Sequence, residues 1–295
     1  MTTMTQRLTP VLCLSFALAA GACSDDDNGK PPPKDSSPQD TVGGTEGSVP
    51  DQGPPADAMI TARFCGSLED EAGAPVEGGD VVVCNEHECH TGTAGVTGAF
   101  CVHVNKAGDY LFHAAEKEIG SKHFGDMMFP TELSEAELQS KAKVDLGTIV
   151  MPLLGAAQNL DPAAGGTLEL GAGKLTVPAG ATVLPPLTTE AKVALAVLDA
   201  AKLHAQLAAA VPGGKTAEAA FVIVPIGVTF SSPVSFELPA PQGLAAGTAL
   251  EIHRVHDEQG KLVLNGEATV DGSGKLIDVS GKGLTGLGVM VFVKK

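Results

Sequence analysis

The stretch "FCGSLEDEAGAPVEGGDVVVCNEHECHTGTAGVTGAFCVHVNKAGDYLF" (64–112) alternates short β-rich runs with turn chemistry. Glu71-Ala72-Gly73 and Gly78-Gly79 punctuate the first two runs, Gly95 to Gly98 the next, and Ala107-Gly108-Asp109 the one after. Side chains alternate across a strand, so Phe64, Val81, Val83, Phe100, Val102 and Val104 facing a core turn Cys65, Cys84, Cys101 and His103 the other way. Runs of this length closed by such turns predict an all-β sandwich. Composition agrees: Trp is absent, Tyr occurs once, and 36 Gly and 20 Pro are spread through the chain.

The order "GSLEDEAGAPVEGGDVVV…TGTAGVTGAFCVHVNKAGDYLF", with "DLGTIVMPL" (145–153) as a closing strand, resembles the carboxypeptidase regulatory-like, or transthyretin-like, β-sandwich. The resemblance covers most of 59–155. Residues 116–142 fit it less well. There "TELSEAELQSKA" (131–142) offers a helix cap at Thr131 or Ser134 followed by acids, which predicts a short helix or loop insertion.

A second segment, 162–295, carries hairpin signals at Asp257–Gly260, Asn265-Gly266 and Asp271–Gly274, each flanked by alternating apolar residues. "TVPAGA" (176–181), Pro225, Gly227, Phe230, Pro233-Val234 and Leu238-Pro239 resemble the zonula-occludens/Unc-type β-sandwich of ankyrins and netrin receptors, in a bacterial form. Some members of that group cleave themselves at a histidine followed by a hydroxyl residue. In 162–295 the histidines sit in "LHAQ", "IHRV" and "VHDE", none followed by a hydroxyl residue, so self-cleavage is not expected. "TTEAKVALAVLDAAKLHAQLAAA" (188–210) is rich in Ala, Leu and Lys, which favours helix. Yet Val193, Leu195 and Val197 alternate. The reading adopted is a strand at about 191–198 followed by a short helical turn, with a full helix as the alternative. The expected fold class is therefore all-β, two consecutive β-sandwiches.

Ahead of them, Val11 to Ala20 is an apolar run too short to span a bilayer, which needs about 20 residues. Arg7 precedes it and small residues follow, the layout of a signal peptide over 1–22. "LAAGAC" resembles a bacterial lipobox, departing from it at Ala20 where leucine is usual, and implies lipidation at Cys23. Residues 23–58 hold eight acids, two lysines and much Pro and Gly, a composition that cannot bury enough surface to order itself. "KPPPK" stiffens this stretch into a semi-rigid tether. Ser24 does not resemble the aspartate that retains such proteins at the inner membrane, which points to the bacterial outer membrane or cell surface.

Four cysteines remain in one exported domain: Cys65, Cys84, Cys89 and Cys101. They imply two disulfides with three possible pairings, of which Cys84–Cys89 with Cys65–Cys101 is favoured. "CNEHECH" (84–90) also presents Cys84, His87, Cys89 and His90 as conceivable soft metal ligands, with His103, His113 and His123 further along. Structural zinc sites need reduced thiols, however, and an exported chain oxidises its own. No metal and no cofactor are expected.

Other chemistry is thin. "VPGGKT" (211–216) has Ala209 where a phosphate loop needs its first glycine, and reads as a turn. "HECHT" (87–91) lacks the second histidine of a helical zinc-protease motif, and no Gly-x-Ser-x-Gly elbow occurs. His253 and His256 are expected at the surface, and Asp257-Glu258 in a solvated turn. Net charge is −16 and no basic stripe exists, so nucleic acid is excluded as a partner. Two functions follow. One is a surface lipoprotein that binds or spaces an envelope protein or peptidoglycan without catalysis. The other is an exported hydrolase or metal-binding protein using loop residues of the first domain.

Overall fold

Asp70 shows how the turns define the strands. Its Oδ1 accepts the backbone N–H groups of Ala72 (3.0 Å) and Ala74 (2.9 Å), while Gly73 takes φ 81°, so the first strand reverses at once. The computed structural model describes residues 61–185, 188, 190–256 and 260–295. The expected signal peptide, Cys23 and tether lie outside the described residues, as does the acid pair Asp257-Glu258.

Nine strands come from the first segment: β1 Ala62–Asp70, β2 Asp80–Cys84, β3 Cys89–Thr93, β4 Ala99–Val104, β5 Gly108–Ala114, β6 Lys117–Ile119, β7 Lys122–Phe124, β8 Met127–Leu133 and β9 Lys143–Met151. They form a sheet β4-β1-β9, a sheet β3-β2-β5-β8 and the separate hairpin β6-β7. Aromatic pairs tie the two larger sheets face to face. Phe64 on β1 meets Tyr110 on β5 edge-on at 5.4 Å, and Phe100 on β4 meets Phe112 on β5 at 5.7 Å. This is a β-sandwich. Tyr110 is buried and its hydroxyl donates to the carbonyl of Lys106 (2.7 Å), pinning the turn that enters β5. Helix α1 (Glu135–Gln139) starts at Ser134, one of the two caps the sequence offered, with a reciprocal capping box to Glu137. Thr131 lies in β8 instead.

The second segment adds β10 Gln158–Leu160, β11 Gly166–Glu169, β12 Lys174–Val177, β13 Thr182–Val183, β14 Ala191–Leu198, β15 Ala217–Val224, β16 Thr229–Pro239, β17 Ala249–Val255, β18 Leu262–Val270, β19 Lys275–Asp278, β20 Leu284–Gly286 and β21 Gly288–Lys294. All twelve belong to one sheet, ordered β10-β14-β15-β21-β17-β18-β19-β16-β12-β11, with β13 and β20 on β16. The sheet curls until its two end strands meet. There the Gln158 side chain stands in for a ladder rung: its Nε2 donates to Glu169 O (2.5 Å) and its Oε1 accepts from Glu169 N–H (3.0 Å). Exposed edges invite unwanted strand pairing, and this amide closes one such gap.

The described residues, from 61 onward, belong to one compact unit. Within it, β14, β15 and β21 are buried on both faces, and this explains their sequences. Val193 and Leu195, Phe221 and Ile223, and Met290 and Phe292 point into the second segment's own core. Between them Ala194 and Ala196, Ala220 and Val222, and Val289 and Val291 join the cluster that holds Phe64, Phe112 and Phe129 of the first segment. A strand covered on both sides needs a continuous apolar run rather than alternation. "VALAVL" (193–198), "AAFVIV" (219–224) and "GVMVFV" (288–293) are such runs.

After β14 the chain turns through a short 3-10 segment, Ala200–Lys202, into helix α2, Ala205–Ala209. This connector latches onto the first sandwich. The His204 ring stacks on Phe129 at 3.8 Å, and its Nε2 donates to Leu146 O on β9 (2.7 Å). Its Nδ1 accepts the Gln206 N–H (3.4 Å), and the Gln206 amide donates to Thr131 Oγ1 (3.1 Å). Leu207 is fully buried behind them. One nitrogen donating and the other accepting defines a neutral imidazole. A cavity of about 180 Å³ lies beside it, lined in part by Met127, Val150 and Leu203.

Three local expectations are corrected. Cys65 points away from Phe64 as alternation requires, yet it is buried, because β1 is the central strand with Cys101 and Asp145 as its neighbours. Asn265-Gly266 is no hairpin turn: it lies inside β18, opposite an irregularity at Ile252/His253. Asn265 is buried, donating from Nδ2 to Gly286 O (3.0 Å) and accepting the Thr285 hydroxyl at Oδ1 (2.9 Å). A Cβ on Gly266 would sit 2.7 Å from Gly283 O, so glycine is there for close approach, not for a turn. Finally, His253 is buried rather than superficial, beside Glu251 (3.4 Å).

Candidate functional site

The cysteines and histidines singled out by sequence fall into separate places. Cys65 and Cys101 are direct cross-strand partners in β1 and β4 and form one disulfide, with Cα atoms 4.1 Å apart. Cys84 and Cys89 form the other, at the mouth of the β2-β3 hairpin, with Cα atoms 4.0 Å apart. The short loop between them is fixed a second time from inside. Asn85 Oδ1 accepts the N–H groups of His87 (2.8 Å) and Glu88 (2.9 Å), an Asx turn. His87 is exposed, whereas His90 faces Glu88 (3.6 Å). Burial works against the Glu88 carboxylate, but the Lys106 ammonium at 3.3 Å and His90 together outweigh it and hold the carboxyl below the usual range. With both thiols in a disulfide, "CNEHECH" does not converge on a point, and no group of three or more metal-ligating side chains forms among the described residues.

His113 and His123, far apart from that loop in sequence, each find a carboxylate. His113 Nε2 meets Asp126 Oδ1 at 2.5 Å, and His123 Nε2 meets Glu116 Oε1 at 2.5 Å. The pairs are linked, since Asp126 Oδ1 also accepts the Glu116 N–H (3.1 Å). Topology explains the meeting. β5 ends at Ala114, the β6-β7 hairpin folds back, and β8 begins at Met127, so residues 113 to 126 return to within one strand width. Burial pushes the Glu116 carboxyl up; the His123 hydrogen bond opposes this, and repulsion from Asp126 reinforces it.

This hairpin forms one wall of an open polar recess of about 730 Å³. Glu116, Lys117, Glu118 and His123 line that wall, while Asn159 on β10 and Lys192 on β14 line the other. Glu118 and His123 are cross-strand neighbours, as are Asn159 and Lys192, so each wall is set by a strand pair. A volume in this range suits a small ligand. Nothing in the spacing of Glu116, Asp126, Asn159 or Lys192 marks them as partners. The first two sit in the stretch that fits the carboxypeptidase regulatory-like pattern less well, and that misfit was the one available signal. Chemically, each imidazole is held in place by a carboxylate. Among the described residues neither hydrogen-bonds a hydroxyl or thiol, the contact an activated nucleophile requires.

No protein-family model matches the chain, and no curated protein matches it. Among solved structures, it is similar to one described as the structure of the streptococcal ancillary pilin, with 9% sequence identity and a TM-score of 0.23. That similarity covers 80% of this chain and 53% of the pilin chain, so the chain spans about half the pilin's length. Overlap at this score determines neither topology nor function. What the chain does is therefore argued from its own geometry.

Proposed function

We propose that the protein is an exported, lipid-anchored and non-catalytic binding or structural module of the bacterial envelope. In this reading Cys23 carries lipid at the outer membrane or cell surface, residues 24–58 form a stiff acidic spacer, and the folded part meets an envelope protein or peptidoglycan. Its first segment is then a carboxypeptidase regulatory-like sandwich and its second a zonula-occludens/Unc-like one. The observation that carries the proposal is the double stapling of the first sandwich by Cys65–Cys101 and Cys84–Cys89. Disulfides of this kind persist in oxidising compartments. A rigid stapled scaffold with a polar recess and short loops is suited to holding a partner in a defined orientation.

Fractionation tests the anchor: Cys23→Ala releases the protein to the soluble fraction, and a variant that stays on the membrane overturns the reading. Capture from envelope extract by the full chain tests binding. The second reading, an exported hydrolase, has the two histidine–carboxylate pairs in its favour. Turnover of ester, peptide, glycoside or phosphate substrates that is abolished by changing His87 or His90, or by His123→Ala, would establish it.

A further inference from the structure

The polar recess beside the β6-β7 hairpin is walled by two strand pairs of opposite character. On the hairpin side, three carboxylates gather: Glu116, Glu118 and, behind Glu116, Asp126. On the other side stand the Lys192 ammonium and the Asn159 amide, adjacent in the β10-β14 register. Several of the charges are already matched. Lys117 pairs with Asp80 (3.0 Å), His123 with Glu116, and His113 with Asp126. Glu118 and Lys192 are left: both are exposed, and among the described residues neither makes a salt bridge. The recess thus offers one uncommitted negative group and one uncommitted positive group on facing walls.

We infer that this recess binds a short peptide or amino acid carrying both a free ammonium and a free carboxylate, the ammonium against Glu118 and Glu116 and the carboxylate against Lys192 and Asn159. An anion alone meets the acidic hairpin, and a cation alone meets Lys192. Only a ligand bearing both charges satisfies both walls. Charge-assisted hydrogen bonds are about twice as strong as neutral ones, so the two ends dominate recognition and the space between tolerates varied side chains. The crowding of carboxylates agrees with this polarity. Burial first, and then repulsion from Asp126 and Glu118, raise the pKa of the Glu116 carboxyl against the His123 hydrogen bond, so like charges do crowd that wall.

The inference rests on the reading of the chain as a binding module, and one titration separates the two. Triglycine, N-acetyl-triglycine and triglycine amide are titrated into the full chain, with amide and side-chain NMR shifts as the readout. Saturable shifts at residues 116–123, 159 and 192 are expected for triglycine, with affinity lowered at least tenfold by capping either end. Lys192→Met weakens triglycine but leaves triglycine amide unaffected, and Glu118→Gln does the same for the N-acetyl form. Equal affinity for capped and uncapped peptides, or no shifts at these residues, overturns the inference. Should capture from envelope extract persist in that case, the binding-module reading stands and the ligand class alone falls.

Discussion

Replacing His204 with alanine removes three contacts at once. The Phe129 stack at 3.8 Å is lost, the Leu146 carbonyl loses its donor, and α2 loses the side chain that caps Gln206. An aromatic pair contributes ~0.5–1.5 kcal/mol, an orphaned buried acceptor costs ~1–3 kcal/mol and a lost cap ~0.5–2 kcal/mol. These contacts share one ring that is only partly buried, so they do not add in full, and the expected loss is about 2–3 kcal/mol. For a folded part of this size that lowers Tm by about 4–12 °C. The same ring sets a pH dependence. Burial lowers its pKa, although the Leu146 carbonyl pulls the other way. Because the folded pKa lies below the unfolded value near 6.5, the unfolded chain binds the proton first as pH falls. The latch's contribution is complete above about pH 6.5 and is lost as pH drops from there through the folded value, by up to ~1.4 kcal/mol per pH unit. Denaturant unfolding of wild type, His204→Ala and His204→Gln at pH 7.5, 6.0 and 5.0 tests this. Glutamine can still donate to Leu146 O but cannot titrate, so the difference between wild type and His204→Gln should shrink as pH falls. A difference that stays flat across that range refutes the proton-sensitive latch, and a Tm change below about 1 °C in His204→Ala refutes the energetics.

Gln158→Ala opens the closure between β10 and β11; a loss of about 1–2 kcal/mol and faster hydrogen exchange at the Glu169 amide are expected, and unchanged exchange would mean that the amide bridge is not formed in solution. Gly98→Ala should destabilise by about 1–3 kcal/mol, since Gly98 has φ +75° and its Cβ would lie 2.3 Å from Leu68 O; a neutral result by thermal melting rules out that turn geometry. Cys65→Ser with Cys101→Ser is expected to cost about 2–4 kcal/mol in denaturant midpoints, and thiol labelling of the unreduced wild type from residue 61 onward should find no free cysteine. Asn265→Ala removes the side-chain donor to the Gly286 carbonyl and leaves the Thr285 hydroxyl only its longer contact to the residue-265 carbonyl (3.5 Å), and a loss of about 2 kcal/mol is expected by the same measurement.

Much of this architecture was legible along the chain. Glycine pairs, the Glu71-Ala72-Gly73 turn and alternating Phe64, Val81, Val83, Phe100 and Val102 specify short strands with one buried face, because side-chain direction in a strand follows position alone. Parity put Cys65, Cys84 and Cys101 alike on the side away from Phe64, Val83 and Phe100, and five residues of separation suited Cys84 and Cys89 to a loop closure, but the cross-strand meeting of Cys65 with Cys101 and the burial of Cys65 come from the β1–β4 register and the central place of β1. A hydroxyl followed by acids announced a helix start locally, while the choice of Ser134 over Thr131 was made by the pairing of Thr131 into β8. The ambiguity at 188–210 had a different origin. "VALAVL" carries no clean period because β14 is covered on both faces, and that covering comes from a segment some forty residues or more away. The recess was equally invisible. Glu116 with His123, and Asn159 with Lys192, become partners only when a hairpin and a sheet edge are brought side by side, and charged residues on short strands leave no mark in the order of the chain. His204 read as one more residue of a helical turn until Phe129 and Leu146, 75 and 58 positions earlier, were placed against it. Local sequence determines where strands start, stop and point, since those depend on neighbouring backbone angles. Which faces become double-sided, which edges are sealed and which charges confront each other depend on long-range packing, and the tertiary structure alone decides them.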